Sequence, residues 1–371
     1  MADDPTSTKS KKYSAVKTRI FVIDILITVI SLGVFQCFFA RSVSRLSYEV
    51  SPNFYLAALV FSLVFLAFLY LASFPTHIMS SFFVEKRFSL SRQTFIGWLK
   101  DEGKSVVLSL VLSVGCIEVF YLILRNFPHS WWVITAAAWI FFSIVMARFM
   151  PVLLIPLFYK YLPLEDDDLK DRILKLADRS GINLMDVCRI DLSRKTSKAN
   201  AALVGLGKTR KVILGDTLTE NFTLSEVEAV VAHEFAHFKK RHMVKLLTSS
   251  AVVTLLGFFV LFIFSGRIAE LMGASGFSEL YLLPVITLLL SVFGIMLMPF
   301  QNFLSRVLER EADTFALRVT ASPDAFISVM RKLGEMNLAD IDPPLVKKIF
   351  LYDHPPIKER IMMAERFAEG G

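Results

Sequence analysis

Six apolar stretches constrain this chain more than any other feature of its sequence. They lie near residues 20–40, 54–73, 105–124, 131–157, 244–264 and 281–300. Each is long enough to cross the roughly 30 Å hydrocarbon core of a bilayer as a helix, which satisfies its own backbone hydrogen bonds. Hydrophobic residues make up 54% of the chain, more than is usual in soluble proteins. We therefore predict a mainly α-helical, multi-pass membrane protein with about six transmembrane helices.

The basic residues indicate how these spans are oriented. Loops 1–19 and 74–104 hold five Lys or Arg each. The loops on the other side hold fewer, namely Arg41, Arg45, Arg125 and Arg267. By the positive-inside rule, both termini and the soluble segments 158–243 and 301–371 are cytoplasmic. The chain has 41 Lys and Arg against 34 Asp and Glu, and we attribute this excess to the cytoplasmic loops. We therefore predict a lipid bilayer as partner, and no nucleic acid.

The composition changes after the fourth span, which predicts two domains. Residues 1–157 form a membrane region with four spans, and residues 158–371 form a small α+β domain that includes the last two spans. Apolar spacing predicts a helix over 168–179. Short β-like runs follow at 187–190, 201–204 and 212–214, with a hairpin-like turn at 205–208.

Three ionisable residues fall within the predicted spans: Asp24, Glu118 and Arg148. Charged groups are costly in lipid and usually face a partner or a wet cavity. They therefore line a hydrated chamber, form a structural pair, or lie near enough to a span end to reach the membrane interface, and the sequence leaves these interpretations open.

One short stretch, EAVVAHEFAHFKKRH at 228–242, carries a pattern typical of metal sites. Thr223 and Glu226 form a capping box that predicts the start of a helix. No Gly or Pro follows before Gly257, so we expect this helix to continue almost uninterrupted into the fifth span.

Within this stretch, residues 233–237 read H-E-x-x-H. On a helix His233 and His237 share a face and can both ligate one metal ion. Glu234 lies about 100° further round, beside the open coordination position, and is the natural general base for a water molecule there. We predict one catalytic Zn²⁺ per chain, near the cytoplasmic membrane surface.

A third zinc ligand is expected from the uninterrupted helical stretch 303–319. Glu309 and Asp313 share a face, whereas Glu311 points away. One carboxylate of this pair would bind zinc and the other would hydrogen-bond a ligand, and spacing alone does not say which. The alternative is a solvated acidic face. A later motif, His354-Pro-Pro with Arg360 downstream, either contacts the substrate and the transition state or is an ordinary loop and helix cap.

The chain resembles the CAAX prenyl protease family of integral-membrane zinc metalloendopeptidases, in a shorter, bacterial-type form. The resemblance covers roughly 74–365. The matching motifs are 84–87 (VEKR), 92–94 (RQT), 156–158 (PLF), 163–164 (PL), 197–205, 211–218 (KVILGDTL), 233–237 (HEFAH) with His242, 305–306 (SR) with Glu309 and Asp313, and 354–360 (HPPIKER). Eukaryotic members usually have seven spans, and this chain has six.

The resemblance implies a role for each matching residue. Glu309 would be the third zinc ligand, with Asp313 hydrogen-bonded to a ligand, and Glu234 would act as general base and acid. His354 and Arg360 would contact the substrate and the transition state. Asn200 and Ala201 lie in the family's edge strand, where a substrate peptide would add as a further strand. His242 also matches a family position, but the sequence does not indicate a physical role for it.

We therefore predict a membrane-embedded zinc metalloendopeptidase with a gluzincin-like domain. Its substrates would be peptide bonds of membrane-associated or prenylated, CAAX-type proteins. The expected location is a bacterial inner membrane, or the endoplasmic reticulum membrane in a eukaryote, with the active site on the cytoplasmic side. The rival interpretations are a membrane quality-control protease of heat-shock type and a non-catalytic zinc-binding scaffold or transporter.

Overall fold

The structure, a computed structural model, describes residues 5–205 and 210–370. The helices are α1 (Pro5–Val34), α2 (Ala40–Val50), α3 (Phe54–Ile78), α4 (Val84–Arg87), α5 (Phe95–Asn126), α6 (Trp131–Phe158), α7 (Asp167–Arg179), α8 (Asp216–Asn221), α9 (Leu224–Lys239), α10 (His242–Leu271), α11 (Leu283–Thr320), α12 (Pro323–Met336), α13 (Leu345–Leu351) and α14 (Ile357–Ala368). The strands are β1 (Tyr161–Pro163), β2 (Asp186–Ile190), β3 (Ala201–Val204) and β4 (Lys211–Gly215).

Six helical segments of the described residues are long and apolar enough to cross a membrane, which confirms the predicted number. Two of these segments contain π-helical turns, Phe35–Phe39 between α1 and α2 and Met79–Phe83 between α3 and α4. The bundle is filled by aromatic side chains such as Phe35, Phe61 and Tyr121, each at most 1% exposed. Many other apolar side chains are exposed on these helices, as expected of surfaces that face lipid.

The sixth predicted span and the helix predicted over 303–319 form one continuous helix. α11 has 38 residues and continues through Pro299. By the α-helical rise it is roughly 57 Å long, more than the hydrocarbon core requires. It therefore carries Glu309 and Asp313 from the bundle to the soluble part of the molecule.

The small sheet has the order β1-β2-β4-β3. β3 pairs antiparallel with β4 and forms an edge, while β2 and β4 are parallel. The three predicted strands are present, and β1, which lies just before α7, was not predicted. Of the predicted turn at 205–208, residues 206–208 lie outside the described residues.

A loop of the membrane region holds the segment that leads into β3. The backbone of Leu90 accepts a hydrogen bond from Ser197 N at 3.0 Å. Glu85 accepts one from the Tyr13 hydroxyl at 2.6 Å and forms a salt bridge with Lys198 at 2.9 Å. The edge strand is thus fixed to the first membrane helix by contacts far apart in sequence.

A large cavity of about 1400 Å³ opens between α1, α3, α5 and α11. Asp24 lines it and accepts a hydrogen bond from Thr76. Asp353, at the other end of the chain, also lines it. For Asp24 the structure therefore supports the chamber interpretation. Glu118 is not among the residues lining this cavity, and Arg148 is exposed on α6.

The capping box at the start of α9 is confirmed: the Thr223 side chain accepts a hydrogen bond from Glu226 N, and the Glu226 carboxylate accepts one from Thr223 N.

The prediction that this helix continues almost uninterrupted into the fifth span is wrong. α9 ends at Lys239, Arg241 adopts a left-handed conformation with φ of 54°, and α10 begins at His242. No Gly or Pro marks this break, so the sequence did not reveal it; the break turns His242 back toward α9.

Glu226→Ala is expected to lower the stability of the folded protein by about 1–2 kcal/mol. Glu226 is 3% exposed and also accepts hydrogen bonds from Ser328 and Lys332 on α12. Burial opposes its ionisation, but the hydrogen bonds from Lys332, Ser328 and the Thr223 backbone outweigh it and lower its pKa. The stabilisation is therefore present at neutral pH and is lost as the pH falls through the lowered pKa.

The measurement is thermal unfolding of the detergent-purified protein at neutral and acidic pH. Glu365→Ala, at an exposed position on α14, is the control. A melting temperature of Glu226→Ala equal to that of the control at neutral pH would contradict this assignment.

Candidate active site

His233 and His237 face the same side of α9, as their spacing predicts. Their Nε2 atoms are 3.0 Å apart. The intervening Phe235 and Ala236 are fully buried, and Phe235 packs in the apolar core, which is consistent with the histidine face of the helix lying toward α11.

Glu309 of α11 completes this group. Its Oε2 atom lies 3.2 Å from Nε2 of His233, and its Oε1 atom lies 3.4 Å from Nε2 of His237. One ligand atom from each of the three residues falls within 4.8 Å of the others. Glu309 Oε2 is buried and has no partner with hydrogen-bond geometry. Two imidazoles and a carboxylate converging on one point, with an oxygen left unsatisfied there, fit a Zn²⁺ site with an open position.

The electrostatics of the two histidines differ. Burial opposes protonation of His233, but the nearby carboxylates of Asp313 and Glu309 outweigh it and raise its pKa to about 9. Burial and the charge of His233 lower the pKa of His237 to about 4. The surrounding carboxylates thus favour positive charge on the His233 side of this group.

Glu234 follows His233 and is partly buried. Burial raises its pKa above the usual range for a carboxyl group, partly offset by the charge of His233. A carboxyl group with a raised pKa is suited to accept and return a proton near neutral pH.

Asp313 and Arg360 support His233 from behind. Asp313 Oδ1 lies 2.8 Å from Nδ1 of His233, the ring nitrogen opposite Glu309. Asp313 is fully buried and binds Arg360 through two hydrogen bonds, 2.8 Å to Nε and 2.5 Å to Nη2. The geometry therefore distinguishes the two carboxylates that spacing left equivalent: Glu309 lies beside the Nε2 atoms of both histidines, and Asp313 lies beside Nδ1 of His233.

His354 also lies next to this group, and its Nε2 atom is 3.5 Å from Glu309 Oε2. Its Nδ1 is 2.9 Å from Asp353 Oδ1. The hydrogen bond to Asp353 raises the pKa of His354. Asp353 was not predicted as a site residue, although its position directly before the His-Pro-Pro motif could have indicated a contact with His354.

Asn200 and Ala201 lie at the start of the edge strand β3, which packs against α9. Asn200 O accepts a hydrogen bond from Gly215 N at 2.9 Å, and Ala201 is paired with Leu214 of β4. Neither residue forms a hydrogen bond with the histidine and carboxylate group in the described part of the chain. They lie beside the group rather than within it.

Comparisons with known proteins agree with this geometry. Residues 163–368 match peptidase family M48, and residues 1–160 match the CAAX prenyl protease N-terminal region, described as five membrane helices. An uncharacterized metalloprotease of Bacillus subtilis, YhfN, is 31% identical over 75% of this chain and 66% of its own length. CAAX prenyl protease 1 of Saccharomyces cerevisiae is 29% identical over 99% of this chain and 87% of its own. The crystal structure of Ste24p from S. mikatae superposes with a TM-score of 0.87 at 25% identity, covering 98% of this chain and 90% of that one.

Proposed function

The chain belongs to peptidase family M48 and is an integral-membrane zinc metalloendopeptidase, and we propose that its substrates are prenylated, CAAX-type peptides. The proposal draws on relatives named CAAX prenyl protease 1. The observation that carries it is the cavity of about 1400 Å³ among the membrane helices, whose lining includes Asp353 beside His354. A substrate with a lipid-soluble end and a peptide end fits such an arrangement.

We propose one zinc ion per chain, held by His233, His237 and Glu309. Bound there, zinc supplies a Lewis acid that polarises the peptide carbonyl and eases ionisation of water. Glu234 takes the proton from the attacking water and passes it to the leaving amine. Asp313, clamped by Arg360, orients His233 through its outer nitrogen.

His354 and the edge strand bind the substrate in this proposal. His354 donates a hydrogen bond to the carbonyl oxygen as negative charge develops on it, with Asp353 fixing the ring, and Arg360 adds positive charge. The substrate backbone pairs with β3 from Asn200 and Ala201 onward, because no other strand of the described residues lies beside this edge. The distribution of basic loops supports a cytoplasmic active site and cytoplasmic termini, with 1–157 as membrane region and 158–371 as protease domain.

His354→Ala is expected to reduce kcat by about 10²- to 10³-fold with a smaller change in KM, because it removes a donor used mainly in the transition state. Zinc content should stay at the wild-type level, since the imidazole contacts Glu309 at 3.5 Å without belonging to the ligand group. The measurement is steady-state cleavage of a quenched fluorescent peptide, with metal analysis of the same sample. A kcat within threefold of wild type would exclude His354 from the reaction.

The substrate proposal is tested by comparing three substrates with the same purified enzyme in nanodiscs. These are a farnesylated CAAX peptide, its unprenylated twin and a misfolded membrane protein. We expect a kcat/KM for the farnesylated peptide at least about tenfold above that of its twin, since burying a prenyl chain adds apolar binding energy. Equal cleavage of the two peptides, with rapid cleavage of the misfolded protein, would instead indicate a quality-control protease.

A further inference from the structure

We propose that His242 and Glu311 are positioning residues that orient the zinc ligand His237. The inference rests on the proposed role of His237 as a ligand. His237 presents Nε2 to His233 and Glu309, and its other ring nitrogen faces His242, with the two Nδ1 atoms 3.0 Å apart. The Nε2 atom of His242 lies 3.2 Å from Glu311 Oε2.

The break between α9 and α10 creates this contact. His242 is five positions after His237, and on a continuous helix the two residues would lie about 140° apart around the axis. Arg241 instead has φ of 54° and ψ of 40°, a left-handed conformation that is uncommon for residues other than Gly. Its consequence is that the His242 ring, 1% exposed, packs against His237. The uncommon backbone conformation of Arg241 thus serves the contact between His242 and His237.

The hydrogen-bond chain specifies the tautomers of both rings. When Nε2 of His237 binds a cation, the ring proton is on Nδ1, which donates to Nδ1 of His242. His242 must then carry its own proton on Nε2, and that nitrogen donates to Glu311. Each step has one donor and one acceptor, so the chain is complete.

Glu311 is well placed to end this chain as a carboxylate. Lys245 lies 2.8 Å and Lys240 lies 3.5 Å from its oxygens. Glu311 is two residues from Glu309 on α11 and therefore faces away from the zinc ligands. Each zinc-binding histidine thus has a carboxylate behind it: His233 contacts Asp313 directly, and His237 reaches Glu311 through His242. A carboxylate behind a metal-binding imidazole orients the ring and strengthens its donor nitrogen.

The test is the zinc affinity of the full-length protein, measured by competition with a chelating dye. We expect His242→Ala to weaken zinc binding by about 10- to 100-fold. His242→Asn should weaken it less, because its side-chain oxygen replaces Nδ1 as acceptor while its amide does not reach Glu311. Glu311→Gln should weaken binding by a few-fold, and the double variant His242→Ala/Glu311→Gln should be no weaker than His242→Ala.

Several outcomes decide the proposal. Wild-type affinity in His242→Ala would overturn it, and additive losses in the double variant would overturn the link to Glu311. Melting of the metal-free variants checks folding; if His242→Ala does not fold, unchanged affinity in Glu311→Gln overturns the proposal. Glu365→Gln is the matched control. Zinc retained by His233→Ala would refute the zinc site itself, which distinguishes that failure from failure of this inference.

Discussion

Glu234→Gln is expected to abolish measurable peptide cleavage while leaving zinc bound. Glutamine keeps the size of the side chain but does not accept a proton, so the general base is lost and kcat falls by about 10²- to 10⁴-fold. Glu234 is not one of the three clustered ligand residues, His233, His237 and Glu309, so the metal content should not change. The measurements are single-turnover cleavage of a quenched peptide and elemental analysis of the same preparation.

Glu365→Gln is the matched control, because it makes the same change at an exposed helical position. Retained cleavage by a zinc-loaded Glu234→Gln protein would refute the mechanism. The same inactive variant offers a route to the physiological substrate, since it should hold a peptide that it does not cut.

His233→Ala is expected to lose both zinc and activity. The imidazole is one of the three proposed protein ligands, and it is also the partner of Asp313 at 2.8 Å. Its removal leaves Asp313 and Arg360 paired with each other but without the ring they orient. We expect bound zinc to fall below roughly a tenth of the wild-type level after dialysis, with cleavage falling in proportion.

His129→Ala is the corresponding control, because His129 is exposed in the loop between α5 and α6. Full zinc retention by His233→Ala would show that the metal binds elsewhere. Cleavage that survives zinc loss would rule out a metal-dependent reaction.

The spans and the site helix were predictable because their signals are local. Long apolar runs predicted the six membrane helices, and Thr223 with Glu226 predicted the start of α9. The choice between Glu309 and Asp313 was not predictable from spacing, since it depends on which ring nitrogen each carboxylate meets after α11 packs on α9. The break at Arg241 was hidden for a similar reason. The break brings His242 into contact with His237 and Glu311, and Glu311 is distant in sequence.

The position of Glu309 near the end of α11 has a consequence for biosynthesis. The ribosome makes His233 and His237 first, and Glu309 follows more than seventy residues later. Between them lie α10 and most of α11, both candidate membrane helices. The three proposed ligands meet only when both helices are in place, so a nascent chain that ends before Glu309 lacks one of them. With the ligand set proposed above, the enzyme would be inactive while it is being inserted, and zinc uptake would report that its last two helices have been assembled.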